Sequence, residues 1–205
     1  MPNWAFNADA NTGHGFAIFM ASVGPLRLRL RLTLALGLID KMTAMQSPLR
    51  HPNSNDAHAL VRLFTDPHIR RYLGGPRSQT QAHASALDLV SATRRYPAWV
   101  VVKPGSSNPV GIVSLSLHHD NEDVEVSFVL FSEVQGLGLG KAAVAAALRE
   151  AWALGLQRVI AETQSANVRS IRLLQKLGFT PLREIVRFSA KQTILSIQRP
   201  EADVA

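Results

Sequence analysis

The glycine-rich segment at residues 135–141, QGLGLGK, has the clearest chemical potential in this sequence. It lies between a run of strand-type residues and an alanine-rich run typical of a helix. Glycine lets the backbone approach a ligand closely, and the first N–H groups of a helix have no partner within the helix. Such N–H groups and the helix dipole attract anions. The segment therefore predicts an anion site, most naturally for a phosphate.

Two nucleotide-binding motifs compete for these residues. A Walker A loop is excluded, because it requires a glycine where Gln135 stands and a hydroxyl residue where Ala142 stands. A dinucleotide fingerprint fits better, since residues 138–143 satisfy G-x-G-x-x-A and Glu162 follows about 20 residues later. However, only roughly 40 residues follow Glu162, too few for the remaining strands of a doubly wound sheet. The dinucleotide alternative stays open as the minor one.

A third interpretation rests on a family resemblance. Residues 135–140 match Q/R-x-x-G-x-G/A, the acetyl-CoA motif of the GNAT superfamily of N-acetyltransferases, and residues 125–128, EVSF, are similar to its E-I-x-[FY]. Downstream, N-x-x-S at 167–170 precedes LLQKLGF at 173–179. These later motifs most resemble the RimJ/RimL-like branch, which acetylates the N-termini of ribosomal proteins. The resemblance covers roughly residues 46–199.

The resemblance implies a fold and a cofactor site. The fold is α/β (α+β), with a mixed, mostly antiparallel central sheet that is split between its fourth and fifth strands and flanked by helices. The pantetheine arm of acetyl-CoA enters that split. The implied cofactor contacts are Phe128, Val129 and Leu130 for pantetheine, Gln135, Gly136, Leu137, Gly138, Leu139, Gly140 and Lys141 for the pyrophosphate, and Asn167 and Ser170 for the thioester end.

The implied activity is transfer of an acetyl group from acetyl-CoA to a primary amine, for which a protein N-terminal α-amine is a candidate. The alternative is a non-catalytic acyl-CoA-binding or regulatory module. Glu125 is the candidate base, although a solvated strand carboxylate is an equal interpretation. The family's tyrosine acid is replaced by Leu174, so Ser170 or water must protonate the leaving thiolate. Asn167 also suits a helix N-cap whatever its function.

Composition narrows the function classes. The 205 residues contain no cysteine, which excludes disulfides, thiolate zinc sites, iron–sulfur clusters and a cysteine nucleophile, and fits a cytoplasmic location. A net charge of +7 favours polyanionic partners. The charges are scattered and aromatic residues make up only 6%, so nucleic acid is not expected as the primary partner. The expected partners are acetyl-CoA and an amine, with the chain a monomer or homodimer.

Two further charged clusters need an interpretation. His118 and His119 are adjacent in a predicted strand, so they should point to opposite faces, and no metal site is expected. Arg169, Arg172 and Lys176 share one helix face, which indicates either a solvated face or contact with the ribose phosphate.

The chain divides into an N-terminal extension of uncertain structure, 1–44, and an N-acetyltransferase domain, 45–205. Residues 26–34 alternate Leu and Arg, but no apolar run reaches the length of a membrane span, and the order is wrong for a secretory signal. In the domain, three short helices should precede the sheet, the third opened by a capping box at Ser78. The remaining pattern predicts strands at 98–102, 110–118, 123–131, 158–163, 183–188 and 193–198, with helices at 139–154 and 167–177.

Overall fold

Seven strands, most of them short and apolar, form one sheet in the order β1-β2-β3-β4-β5-β7-β6. This computed structural model describes residues 47–91 and 93–201, so the predicted extension at 1–44, with its Leu/Arg alternation, lies outside the described residues. All neighbouring strands are antiparallel except β4 and β5. The strands are β1 Leu49–Arg50, β2 Ala98–Val102, β3 Pro109–Leu117, β4 Val124–Leu130, β5 Arg158–Gln164, β6 Thr180–Arg187 and β7 Ala190–Gln198. The predicted mixed, mostly antiparallel sheet is confirmed.

The helices pack on both faces of this sheet. They are α1 Asp56–Thr65, α2 Gln79–Val90, α3 Leu139–Ala153 and α4 Val168–Gln175, with short 3-10 helices at Ile69–Tyr72 and Ser132–Val134. One buried apolar cluster joins α1 and α2 to the sheet, and a second joins α3 and Leu174 of α4 to it. None of the described helices is long and apolar enough to cross a membrane.

Strand alternation assigns each side chain to one of these faces. Ile112 of β3 packs in the cluster of α1 and α2. Residues of β3 and β4 that pair directly share a face, which places Ser127 and Glu125 on the side of Ile112. Glu125 in turn pairs with Ile160 of β5, so Glu162, two residues later, lies on the same side. This is the α1/α2 face, and the opposite one is the α3/α4 face.

The sheet opens between β4 and β5. These two strands pair only at Val124 with Val159 and at Glu125 with Ile160. Beyond that point β4 stays paired with β3 as far as Leu130, and β5 stays paired with β7 as far as Gln164. The facing edges at 126–130 and 161–164 therefore diverge, and the predicted split between the fourth and fifth strands is confirmed.

Two local predictions before the sheet had different outcomes. The capping box is confirmed, because Ser78 Oγ accepts from the N–H of Gln81 and the Gln81 side chain accepts from the N–H of Ser78. The second of the three short helices predicted before the sheet is wrong in type, since only the 3-10 turn Ile69–Tyr72 forms there. Gly74 and Gly75 both have positive φ, at 77° and 82°, and turn the chain away from a helical path immediately afterwards.

Candidate functional site

The split leads into a cavity of about 630 Å³. Its walls come from the loop after α1, β4, the glycine-rich turn, β5 and α4. Most residues proposed for cofactor binding line it: Phe128, Val129, Leu130, Gln135, Gly136, Gly138, Gly140, Lys141, Asn167 and Ser170. The cavity therefore brings together residues from segments far apart in the chain, and their role in cofactor binding stays a prediction.

Leu137, Leu139 and Glu125 do not line this cavity. The Leu137 side chain is 66% exposed, and Leu139 packs against the cluster of α1 and α2. Any part that these two leucines play in anion binding must use their backbone N–H groups. The Leu137 side chain contacts solvent, and the Leu139 side chain packs in the core.

The glycine-rich turn has the backbone that close approach to an anion needs. Gly136 and Gly138 have positive φ, at 85° and 81°, and α3 starts at Leu139 directly after them. A Cβ at Gly138 would meet nothing within 4 Å, so the space beside it is open. Gln135 joins the turn to its neighbours, donating to the carbonyl of Leu130 at 3.1 Å and accepting from Arg169 at 3.3 Å.

Four basic residues stand around the same part of the cavity. Lys141 lies in the first turn of α3, and Arg169, Arg172 and Lys176 come from α4 and its end. None of the four forms a salt bridge with another described residue. Their uncompensated charge supports contact with anionic groups, which was the minor alternative to a merely solvated face.

Asn167 holds the start of α4 and orients Ser170. Its side-chain oxygen accepts from the N–H of Ser170 at 3.3 Å, so the predicted N-cap is confirmed. Its amide nitrogen donates to Ser170 Oγ at 2.9 Å and to Thr163 Oγ1 at 3.1 Å. Because Ser170 Oγ accepts there, its own O–H is left to donate into the cavity.

Leu174 lies one helical turn after Ser170 and is only 1% exposed. It packs in the core cluster of α3 and α4. The residue that replaces the family's tyrosine is therefore a core residue, and Ser170 is the nearest hydroxyl on the same face of α4.

Glu125 is half-buried on the α1/α2 face, which does not fit a freely solvated strand carboxylate. Its Oε1 accepts from Ser127 Oγ at 3.2 Å and from the N–H of Glu162 at 3.4 Å, across the start of the split. Burial raises the pKa of Glu125, while the positive charge of His118 opposes that rise. Ser127, unlike Glu125, lines the cavity, so it connects the carboxylate to it.

A buried histidine beside Glu125 organises the rest of this face. His118 is 1% exposed, with Nε2 at 2.7 Å from Glu162 Oε2 and Nδ1 at 2.8 Å from Asp120 Oδ1. Arg187 also contacts Glu162, at 3.1 Å, and Arg183 contacts Asp120. Burial alone lowers the pKa of His118, but the hydrogen bonds to Glu162 and Asp120 outweigh it and raise that pKa. No local sequence pattern indicates this network, because its members are up to about 70 residues apart.

The prediction that His118 and His119 point to opposite faces is wrong. β3 ends at Leu117, so both residues lie in the following turn, and their rings stack with centroids 4.1 Å apart. With Glu162 they form the one group in the described part of the chain with enough close ligand atoms for a metal ion. Arg187 and Asp120 already partner two members of that group, and the expectation of no metal stays a prediction.

Glu162 does not act as the dinucleotide fingerprint requires. Its carboxylate is bonded to His118 and Arg187, and the sheet is mostly antiparallel rather than doubly wound. The dinucleotide alternative left open by the sequence is therefore wrong.

Comparison with known proteins agrees with this geometry. A family model described as acetyltransferase (GNAT) domain matches residues 48–180. No curated protein sequence matches the chain. A GNAT-family acetyltransferase from Bacillus anthracis superposes with a TM-score of 0.64 at 18% identity, over 73% of this chain and 93% of its own. A spermidine N-acetyltransferase from Vibrio cholerae, in complex with CoA and spermine, gives 0.62 at 18%, over 73% and 94%. A ribosomal-protein-alanine N-acetyltransferase from Brucella melitensis gives 0.60 at 19%, over 74% and 99%.

Proposed function

The chain belongs to the acetyltransferase (GNAT) domain family and is an acyltransferase, and from this premise we propose that it transfers an acetyl group from acetyl-CoA to a primary amine. The observation that carries the proposal is the split between β4 and β5, which opens beside a glycine-rich turn with left-handed backbone. A cavity of about 630 Å³ between them is of a size that binds cofactors.

The residues along the cavity fit acetyl-CoA in order. Phe128, Val129 and Leu130 have no β5 partner. Strand alternation turns the backbone groups of Phe128 and the N–H of Leu130 toward the split, where they can pair with the amides of pantetheine. The backbone of Val129 is paired with Ile112 of β3, and the Leu130 carbonyl accepts from Gln135. The N–H groups of 136–141 suit the pyrophosphate at the start of α3. The basic residues of the cavity, Lys141, Arg169, Arg172 and Lys176, suit the remaining phosphate charge.

The chemical step needs a neutral amine and a protonated leaving group. The amine nitrogen bonds to the thioester carbonyl carbon, the carbon–sulfur bond breaks, and the thiolate takes a proton. Ser127 can pass the amine proton to Glu125, since it lines the cavity and donates to that carboxylate. Ser170 is placed to relay a proton to the thiolate, because its O–H is free to donate, and its Oγ takes up a replacement proton from solvent in the same step. Positioning and these proton transfers supply the catalysis, with no covalent enzyme intermediate.

The acceptor is proposed to be a protein N-terminal α-amine. An α-amino group has a pKa near 7.7–8.0, against about 10.4 for lysine, so more of it is neutral at physiological pH. A half-buried carboxylate that acts through a hydroxyl therefore suffices as base. The structural neighbours include a ribosomal-protein-alanine acetyltransferase, although that likeness alone shows only the fold.

A non-catalytic acyl-CoA-binding module is the second candidate. Leu174 in place of the tyrosine, and a Glu125 that does not itself line the cavity, favour it. Both candidates require CoA binding, and only the first requires release of free CoA in the presence of an amine.

Gly138→Val tests the shared requirement. A valine there would fill the open space beside the turn and strain a residue at φ 81°, so we expect at least a tenfold loss of acetyl-CoA affinity by calorimetric titration. Gly155→Val is the matched control, because Gly155 has φ 84°, equally open surroundings and no place in the cavity. Equal losses in both variants would contradict the phosphate assignment. Thiol release over a panel of amines then separates the two candidates.

A further inference from the structure

The two faces of the sheet differ in the charge they offer to a ligand. On the cofactor side the basic residues of the cavity are free of salt bridges within the described residues. On the α1/α2 face, carboxylates and cations are already matched around His118. An acceptor that approaches the acetyl group from the α1/α2 face therefore meets the charged groups around His118 and the loop after α1.

Two carboxylates of that face, Glu162 and Asp120, are already paired with cations. The third, Glu125, is half-buried and accepts from Ser127 and from the N–H of Glu162. Glu162, the one acidic residue among those that line the cavity, is bonded to His118 at 2.7 Å and to Arg187 at 3.1 Å. Asp120 is shared by His118 and Arg183, and its pKa is lowered to about 2, first by the N–H of Glu122 and then by His118. A second positive charge on an acceptor would find no uncompensated carboxylate at Glu162 or Asp120.

Arg71 adds a free cation to the same side. It lines the cavity from the 3-10 turn after α1, is exposed, lies 5.2 Å from the ring centre of Tyr72, and forms no salt bridge within the described residues. The turn that carries it is held in place by its neighbour. Arg70 is buried, and its guanidinium donates to the carbonyls of Leu73 and Gly75, the latter at 2.6 Å.

We propose that the acceptor is an acidic peptide N-terminus, an α-amine with side-chain carboxylates within the next few residues, and that Arg71 binds one of those carboxylates. The inference rests on the proposed amine acetylation and names its substrate class. It follows that polycationic amines are poor acceptors, since Glu162 and Asp120 are already paired and Arg71 repels a further positive charge.

The test compares initial rates of CoA release with three acceptors at low ionic strength: Ala-Asp-Glu-Phe amide, Ala-Gln-Gln-Phe amide and spermidine. We expect kcat/KM to be highest for the acidic peptide and at least tenfold lower for spermidine. The preference for the acidic over the neutral peptide should shrink as salt is added, because exposed charges are screened. A preference for spermidine would overturn the inference while leaving acetyl transfer itself established.

Charge reversal at Arg71 gives a sharper measurement. Arg71→Glu should lower kcat/KM for the acidic peptide roughly tenfold more than it lowers kcat/KM for the neutral peptide. Arg95→Glu is the matched control, because Arg95 is also exposed and lies 5.4 Å from the ring centre of the following Tyr96, but outside the cavity. Equal effects of the two substitutions would overturn the role of Arg71.

A binding measurement separates failure of this inference from failure of the proposed function. Calorimetric titration of the CoA-bound protein with the two peptides needs no turnover. Tighter binding of the acidic peptide that is lost in Arg71→Glu supports the inference even where no CoA is released, and the absence of release then counts against transfer alone. Equal binding of both peptides counts against the inference alone.

Discussion

Gly111 in β3 is the position where a single methyl group should disturb both the sheet and the cofactor site. A Cβ there would lie 2.5 Å from the carbonyl oxygen of Val129, 2.4 Å from Leu130 Cδ2 and 3.0 Å from Leu130 Cα. The leucine methyl can rotate away, but the backbone oxygen and Cα belong to β4. Gly111→Ala must therefore push the end of β4 away from β3, at the strand edge proposed to pair with pantetheine.

The expected cost follows from this geometry. Overpacking of a close contact costs about 1–3 kcal/mol, and a backbone clash belongs in the upper part of that range. For a domain of about 155 described residues, each kcal/mol lowers the melting temperature by roughly 2–4 °C. We therefore expect a decrease of about 5–10 °C in Tm and a clear loss of acetyl-CoA affinity in the protein that remains folded at lower temperature.

The assay is thermal unfolding followed by circular dichroism, with and without acetyl-CoA, and calorimetric titration well below the melting temperature. Gly105→Ala is the control, because Gly105 lies in a surface turn with nothing within 4 Å of an added Cβ. An alanine there is disfavoured only by the positive φ of this position. A Gly111→Ala protein as stable as the parent and with unchanged affinity would refute the close approach of β3 and β4.

Three further predictions concern proton transfer, the buried network and the extension. Glu125→Gln should lower the transfer rate most at roughly pH 6–7, and less as the pH approaches the amine pKa of about 8. The same substitution should stabilise the fold at pH values above the raised pKa of Glu125, because the buried charge opposes folding there. His118→Gln should cost about 2–3 kcal/mol in urea unfolding near pH 5.5 and less as pH rises through the raised pKa of His118, because the stability from a cation with a raised pKa is lost in that direction; a cost independent of pH would show that His118 is neutral. A chain that begins at Met45 should bind acetyl-CoA as tightly as the full chain, and weaker binding would assign residues 1–44 a part in the domain.

The sequence anticipates the features that depend on local chemistry. The glycine-rich turn, the Asn167 cap and the Ser78 capping box each follow from a few adjacent residues, and all three form as expected. The alternation of apolar residues gives the order of strands and helices to within a few positions. The start of β6 was misplaced by three residues, at Arg183 instead of Thr180, because the register between Pro181 and Arg183 is irregular and breaks the expected alternation.

The features that sequence reasoning missed depend on where strands end and which distant residues meet. β3 ends one residue earlier than predicted, which moves His118 from a strand into a turn and lets its ring meet Glu162, 44 residues away. Nothing near His118 in the sequence indicates that partner. Arg70 is a similar case. Its buried guanidinium donates to carbonyls of its own loop, and apart from Gly74 and Gly75 nothing in the sequence indicates this contact.

The placement of charge explains why the split can serve two ligands of different kinds. Parallel pairing ends at Glu125 and Ile160, so both faces of the sheet reach the same opening. The basic residues of α3 and α4 that line the opening form no salt bridge in the described part of the chain. They can therefore bind a phosphorylated ligand without first breaking a salt bridge. On the α1/α2 face His118 takes both Glu162 and Asp120. Those carboxylates therefore compete little for the attacking amine, which must reach the thioester uncharged. We therefore expect the histidine at the end of β3 to favour an uncharged amine from the face of the sheet opposite the proposed phosphate site, without itself touching the reacting atoms.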